Sequence, residues 1–88
     1  MGWSVYILLC KDGSCYVGAS DDVERRFQDH LAKKGSKYTR DIGVLKLVWQ
    51  ENHPTKSSAL LRESQLKRWT RRKKEALVRG DLQLLKSI

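Results

Sequence analysis

Among the side chains of this chain with chemistry to offer are two phenols, an arginine, a histidine and a carboxylate. Residues 5–18 read VYILLCKDGSCYVG, two apolar runs that each carry a tyrosine, Tyr6 and Tyr16, around a Lys-Asp-Gly turn. Glu63 falls inside the apolar arc of a helix predicted from about Lys56 to Trp69, where a carboxylate needs a cation. Lys67, one turn later, could form an ordinary ion pair. A divalent ion is the sharper solution, because magnesium often uses one or two protein carboxylates and completes its shell with water and phosphate oxygens. Arg26 and His30 lie four apart on the shoulder of another helix. Arg26 can therefore stand at the edge of the core, or be a solvated cation like its neighbour Arg25.

These side chains need elements to hold them. Val5, Ile7 and Leu9 alternate with Tyr6, Leu8 and Cys10 at the period of a strand. A two-residue Asp12-Gly13 loop would pair Cys10 with Cys15 and send the two tyrosines to opposite faces. A three-residue Lys11-Asp12-Gly13 loop, with Gly13 left-handed, pairs Cys10 with Ser14 instead. Val5, Ile7, Leu9, Cys15 and Val17 then make one apolar face, and Tyr6, Tyr16 and Gly18 share the other. A one-residue slip would flip every side chain, so consistency of the faces selects this register. It sets two phenols beside a glycine that leaves room for a ligand; two strand aromatics packed as core would look the same.

Downstream, Asp21 or Asp22 caps a first helix whose stripe is Val23, Phe27 and Leu31. The basic segment 33–40, KKGSKYTR, breaks it and reads as a loop or short turn. Its Lys37, Tyr38 and Arg40 suit either a phosphate backbone with a stacked base or a solvated connector. Residues 44–50, VLKLVWQ, make a third strand, and Asn52-His53-Pro54-Thr55 a turn. Thr55 or Ser57 caps the helix that carries Glu63, with Ala59, Leu60 and Leu66 inward. Thr70 caps a further helix that Gly80 ends, with Ala76, Leu77 and Val78 inward. Arg71, Arg72, Lys73 and Lys74 crowd its start against the helix dipole, which suits a phosphate-binding patch. Asp81 caps a last turn, with Leu82, Leu84 and Leu85 docking back.

Composition bounds the function. The 88 residues carry 18 Lys and Arg against 10 Asp and Glu, a net charge of +8, which favours a polyanionic partner. No apolar run is long enough to span a membrane, and Met-Gly-Trp-Ser does not begin like a signal peptide. Cys10 and Cys15 fall on opposite faces of the hairpin and are expected to stay reduced. Two cysteines cannot make a structural zinc site, and His30 and His53 lack ligand spacing.

The ordered set VYILLCKDGSCYVG, DDVERRFQDH, GSKYTR and SALLRESQLKRW resembles the GIY-YIG nuclease superfamily, and within it the small stand-alone YhbQ/YazA-like bacterial group. Val5-Tyr6-Ile7 and Tyr16-Val17-Gly18 stand for the two signatures. The resemblance spans essentially the whole chain. It implies one α+β domain over 1–88: a small three-stranded antiparallel sheet flanked by helices in the order β-β-α-β-α-α. It implies a catalytic set of Tyr6, Tyr16, Arg26, His30 and Glu63, with Glu63 holding one Mg²⁺ or Mn²⁺ ion. Arg26 stands eight residues after Gly18, the spacing of the superfamily's arginine. Some repair-type members carry a lysine directly after this glycine, where the chain has Ala19. That role is then vacant or filled by Lys37 or Lys67. The superfamily's reaction is hydrolysis of a nucleic-acid phosphodiester, leaving 5′-phosphate and 3′-hydroxyl ends.

The resulting expectation is a metal-dependent endonuclease in the cytoplasm. Its partner is nucleic acid, DNA favoured, read by strand structure rather than by sequence. Lys37, Tyr38, Arg40, Lys67, Arg71, Arg72, Lys73 and Lys74 are the expected contacts. A binding module of the same fold with little activity, or a protein-interaction domain, are the alternatives.

Overall fold

The hairpin is the centre of the molecule. The computed structural model describes residues 2–32 and 37–87. Strand β1 (Trp3–Cys10) pairs antiparallel with β2 (Cys15–Ser20) and with β3 (Val44–His53), giving the order β2-β1-β3. The remaining elements are helices α1 (Val23–Leu31), α2 (Lys37–Ile42), α3 (Lys56–Lys67), α4 (Arg71–Arg79) and α5 (Leu82–Ser87). Among the described residues no helix is long and apolar enough to cross a membrane.

The register is the one that face consistency selects. Tyr6 lies opposite Gly18 and Leu8 opposite Tyr16. The turn closes with Cys10 N–H donating to Ser14 O at 2.9 Å and Gly13 N–H donating to Cys10 O at 2.9 Å. Gly13 sits at φ 85°, a left-handed conformation that glycine adopts without a Cβ clash. Asp12 fixes the loop by accepting from the Ser14 amide and hydroxyl. Both cysteines are free thiols.

The two faces of the sheet bury two cores. Val5, Ile7 and Val17 pack with Ala59 and Leu66 of α3 and with Leu77 and Val78 of α4. Tyr6, Leu8 and Cys10 pack with Val23 and Phe27 of α1 and with Val44 and Ile42. The sheet is thus a middle layer with helices on both sides. Asp22 caps α1 and Thr55 caps α3. Thr70 caps α4, which ends at Gly80 in the left-handed region.

Several details depart from the sequence reading, among them Leu82, which is exposed and does not dock back. The end of the basic segment, Lys37–Ile42, is helix rather than loop, while positions 33–36 and the Tyr38 side chain lie outside the described residues. The stripe of α1 runs Val23, Phe27 and His30, and Leu31 is exposed. At 100° per residue, the seventh position after Val23 returns to its face and the eighth overshoots it. On α3 the same geometry buries Ala59 and Leu66 and leaves Leu60 exposed. Finally, β3 continues through Asn52 and His53, which pair with Ser4 and Trp3, so the turn begins only at Pro54.

Candidate active site

Tyr6, Tyr16 and His30 form one cluster on the face covered by α1. Tyr6 is buried because its ring lies across Gly18: a Cβ at that position would collide with the phenol oxygen and ring. The glycine of the second signature is therefore the floor on which the tyrosine of the first signature rests. Tyr6 Oη lies 3.3 Å from His30 Nε2. The His30 and Tyr16 ring centroids are 5.2 Å apart. His30 is 1% exposed, so it belongs to the core of the site and not to its shoulder.

His30 has a second partner that sequence reasoning missed. Its Nδ1 lies 2.7 Å from the hydroxyl of Thr39, a fully buried residue of α2. Thr39 thus fixes the ring's orientation, and through it the ring nitrogen that Tyr6 meets. The only sequence signal was the GSKYTR string, in which a threonine looks like any polar loop residue.

Burial dominates the electrostatics. It raises the Tyr6 phenol above the ordinary value of 10.0, while the Arg26 guanidinium beside it acts in the opposite direction. Burial, with help from the Arg26 charge, lowers His30 below 6.5, so the ring is neutral at pH 7. The lowered pKa has a consequence for stability. Above about pH 6.5 both folded and unfolded forms hold a neutral ring, and the contribution of this site is complete. As the pH falls below that value the unfolded chain takes up the proton first, and stability is lost until the folded-state pKa is passed. Urea midpoints measured from pH 7.5 to 4.5 should fall along this limb, and His30→Gln should flatten it. An unchanged slope in the variant would assign the acid loss to other groups.

Arg26 lies beside the cluster on α1, and Glu63 stands on α3. Arg26 is part-exposed on α1, with Asp29 3.7 Å away. Glu63 sits on α3, between Ala59 and Leu66 on the same stripe, and its side chain is 19% exposed. Its carboxylate pairs with Lys67 at 3.5 Å, the ordinary partner expected one turn away. Its charge nevertheless opposes ionisation of Tyr6, which sets it within electrostatic range of the cluster. Among the described residues no three His, Cys, Asp or Glu side chains gather around a common point. The donor set is one half-buried carboxylate, which fits a hard ion that fills its shell with water and phosphate oxygens and does not fit zinc.

The basic residues divide into used and available cations. Arg71 donates to Gly13 O at 2.8 Å and to Glu75 at 3.0 Å, tying α4 to the hairpin turn. Lys73 lies over the Trp69 ring, 4.3 Å from its centroid. Arg40 is exposed beside Asp41, and Lys37 and Arg72 are exposed. Lys67 and Lys74 line a cleft with Cys15, Tyr16 and Val17.

Known proteins share this arrangement of sequence. Residues 2–76 match the GIY-YIG catalytic domain. The chain is 49% identical over 78 residues to the UPF0213 protein BH0048 of Halalkalibacterium halodurans, covering 89% of this chain and 83% of that one. It is 45% identical over 75 residues to a UPF0213 protein of Staphylococcus aureus, covering 85% and 92%. The solution structure of BH0048 from Bacillus halodurans gives a TM-score of 0.57 over 89% of this chain and 83% of that one. That of EF2693 from E. faecalis gives 0.61 at 35% identity, over 91% and 85%. With three quarters of its length and more matched in this way, the chain belongs to the GIY-YIG family, whose domains are typically endonucleases.

Proposed function

We propose that the chain is a divalent-metal-dependent endonuclease acting on nucleic acid, DNA by preference, and that Tyr6, Tyr16, Arg26, His30 and Glu63 are its catalytic set. The observation that carries this reading is the contact of two phenols with a neutral, buried histidine, with a guanidinium beside them and a carboxylate in range.

Glu63 would hold one Mg²⁺ or Mn²⁺ ion, which when bound supplies a Lewis acid for the phosphate and the leaving oxygen. Everything else falls to the chain. Arg26 binds the phosphate and neutralises charge that builds on it. A water has two acceptors nearby. One is Tyr16. The other is the Tyr6–His30 pair: Tyr6 Oη takes the water's proton as its own passes to His30 Nε2. The raised pKa of Tyr6 argues against a free phenolate and for this exchange. It requires the tautomer in which His30 Nδ1–H donates to Thr39, which leaves Nε2 free to accept. Burial keeps His30 neutral and so able to receive a proton at pH 7.

One feature favours the quieter reading of a binding module: the Glu63 carboxylate is already satisfied by Lys67. Two adjacent arginines separate the readings. Arg26→Ala removes the phosphate ligand beside Tyr6, and cleavage of a labelled oligonucleotide in Mg²⁺ or Mn²⁺ should fall about 100-fold or more, the loss typical of one electrostatic stabiliser. Arg25→Ala, on the exposed side of α1, should cleave like wild type. Equal rates in the two variants would remove Arg26 from the reaction.

A further inference from the structure

The cleft beside Tyr16 lies where the two sheet faces meet, at the open edge of β2. The hydrogen bond from Cys10 N–H to Ser14 O phases the ladder. In an antiparallel pair the bonding residues alternate, so Tyr16 and Gly18 face β1, and Cys15 and Val17 turn their backbone N–H and C=O groups outward. No described strand pairs there, because β2 is at the end of the sheet. Cys15, Tyr16 and Val17 form the floor of a cleft of about 380 Å³, with Lys67 and Lys74 on its rim.

Of the two rim cations, Lys67 pairs with Glu63 at 3.5 Å, and it is Lys74 that differs from the rest of the basic surface. Arg71 is spent on the hairpin turn and Lys73 on an indole. Lys74 is part-buried, and no carboxylate pairs with it among the described residues. Cys15 feels its charge, and more strongly that of Glu75, the carboxylate that pairs with Arg71. Lys74 also stands in the first turn of α4, where a cation opposes the dipole and gains nothing from the helix. A half-buried cation without a carboxylate, over an apolar floor, suits a ligand that is anionic at one end and flat and apolar at the other.

We propose that this cleft takes one unpaired nucleotide, its phosphate between Lys67 and Lys74 and its base against the Tyr16 ring at the edge of β2. The proposal rests on the nuclease reading and narrows it to substrates with a single-stranded stretch beside the scissile bond. A base within a duplex is stacked and paired and must be flipped out, at the cost of that stacking and pairing, to enter a cleft, whereas an unstacked base can lie on an aromatic or apolar surface without that cost. Tyr16 joins the two places, since its ring touches His30 and lines the cleft. The bound nucleotide is therefore the neighbour of the reacting phosphate.

The test is metal-free binding of a fluorescent oligothymidylate and of a duplex of equal length, at several salt concentrations. Lys74→Ala should weaken the single strand about tenfold and lower its salt slope by about 0.7, the value for one phosphate contact. The duplex should lose less. Arg72→Ala, exposed on the same helix, should lower both affinities alike. In spectra of the wild type, the amides of Cys15 and Val17 should shift with the single strand. If Lys74→Ala and Arg72→Ala behave alike on both substrates, and these amides do not move, the cleft is no subsite, although the nuclease reading stands. If wild type binds neither substrate at low salt, the nuclease reading fails first and the cleft falls with it.

Discussion

Glu63→Gln should abolish cleavage while leaving the fold intact. The change keeps the shape of the side chain and removes the charge that would hold a divalent ion. Its position on the stripe between Ala59 and Leu66 is 19% exposed, so the amide still reaches solvent and the ion pair lost with Lys67 is a half-exposed one. Such pairs contribute about 0–1 kcal/mol. The loss of rate should be about 100-fold or more, and thermal unfolding should shift by a few degrees at most. Raising Mn²⁺ should rescue little, because the amide is a poor ligand for a hard cation. A folded Glu63→Gln protein that cleaves at the wild-type rate would remove the carboxylate from the mechanism.

Gly18→Ala should be nearly as damaging by a different route. The new methyl would collide with the Tyr6 oxygen and with the ring carbons behind it. Tyr6 is 1% exposed and meets His30 at 3.3 Å, so the ring has little room to retreat without breaking that contact. Overpacking of this kind costs about 1–3 kcal/mol. Urea unfolding should show a loss of that size, and cleavage should fall with it as the phenol leaves the cluster. The cause can be isolated with a double-mutant cycle. On a Tyr6→Ala background the added methyl meets no ring, and Gly18→Ala should then cost much less. An equal cost in both backgrounds would place the strain in the backbone.

Much of this was legible in the sequence, and the reasons are local. The hairpin register followed from one choice, because only the Cys10–Ser14 pairing makes both faces chemically consistent. Thr70 and Gly80 announced their caps by residue type and position, and Thr55 was one of two candidates with Ser57. Glu63 betrayed itself by standing four after Ala59 and three before Leu66, both buried. What stayed hidden depends on contacts between distant residues. Helix α2 is short and polar, and the buried Thr39 meets His30 of another helix. The burial of His30 itself is an α1 periodicity effect that a histidine disguises, since a residue able to ionise is easily read as a flank. The division of the run 71–74 into anchors and available cations is set by Gly13, Glu75 and Trp69, which no pattern within the run displays.

The Tyr6–Tyr16–His30 cluster, with Arg26 and Glu63, is proposed as a nuclease centre. The most direct measurement is cleavage of end-labelled single-stranded, duplex and branched DNA by the wild-type protein, with Mg²⁺ or Mn²⁺ and with EDTA. The expected result is divalent-dependent cleavage, strongest where a single-stranded stretch is present, with 5′-phosphate and 3′-hydroxyl ends. Salt-sensitive binding without cleavage, for every substrate and both metals, would contradict it and leave a nucleic-acid-binding module of the same fold.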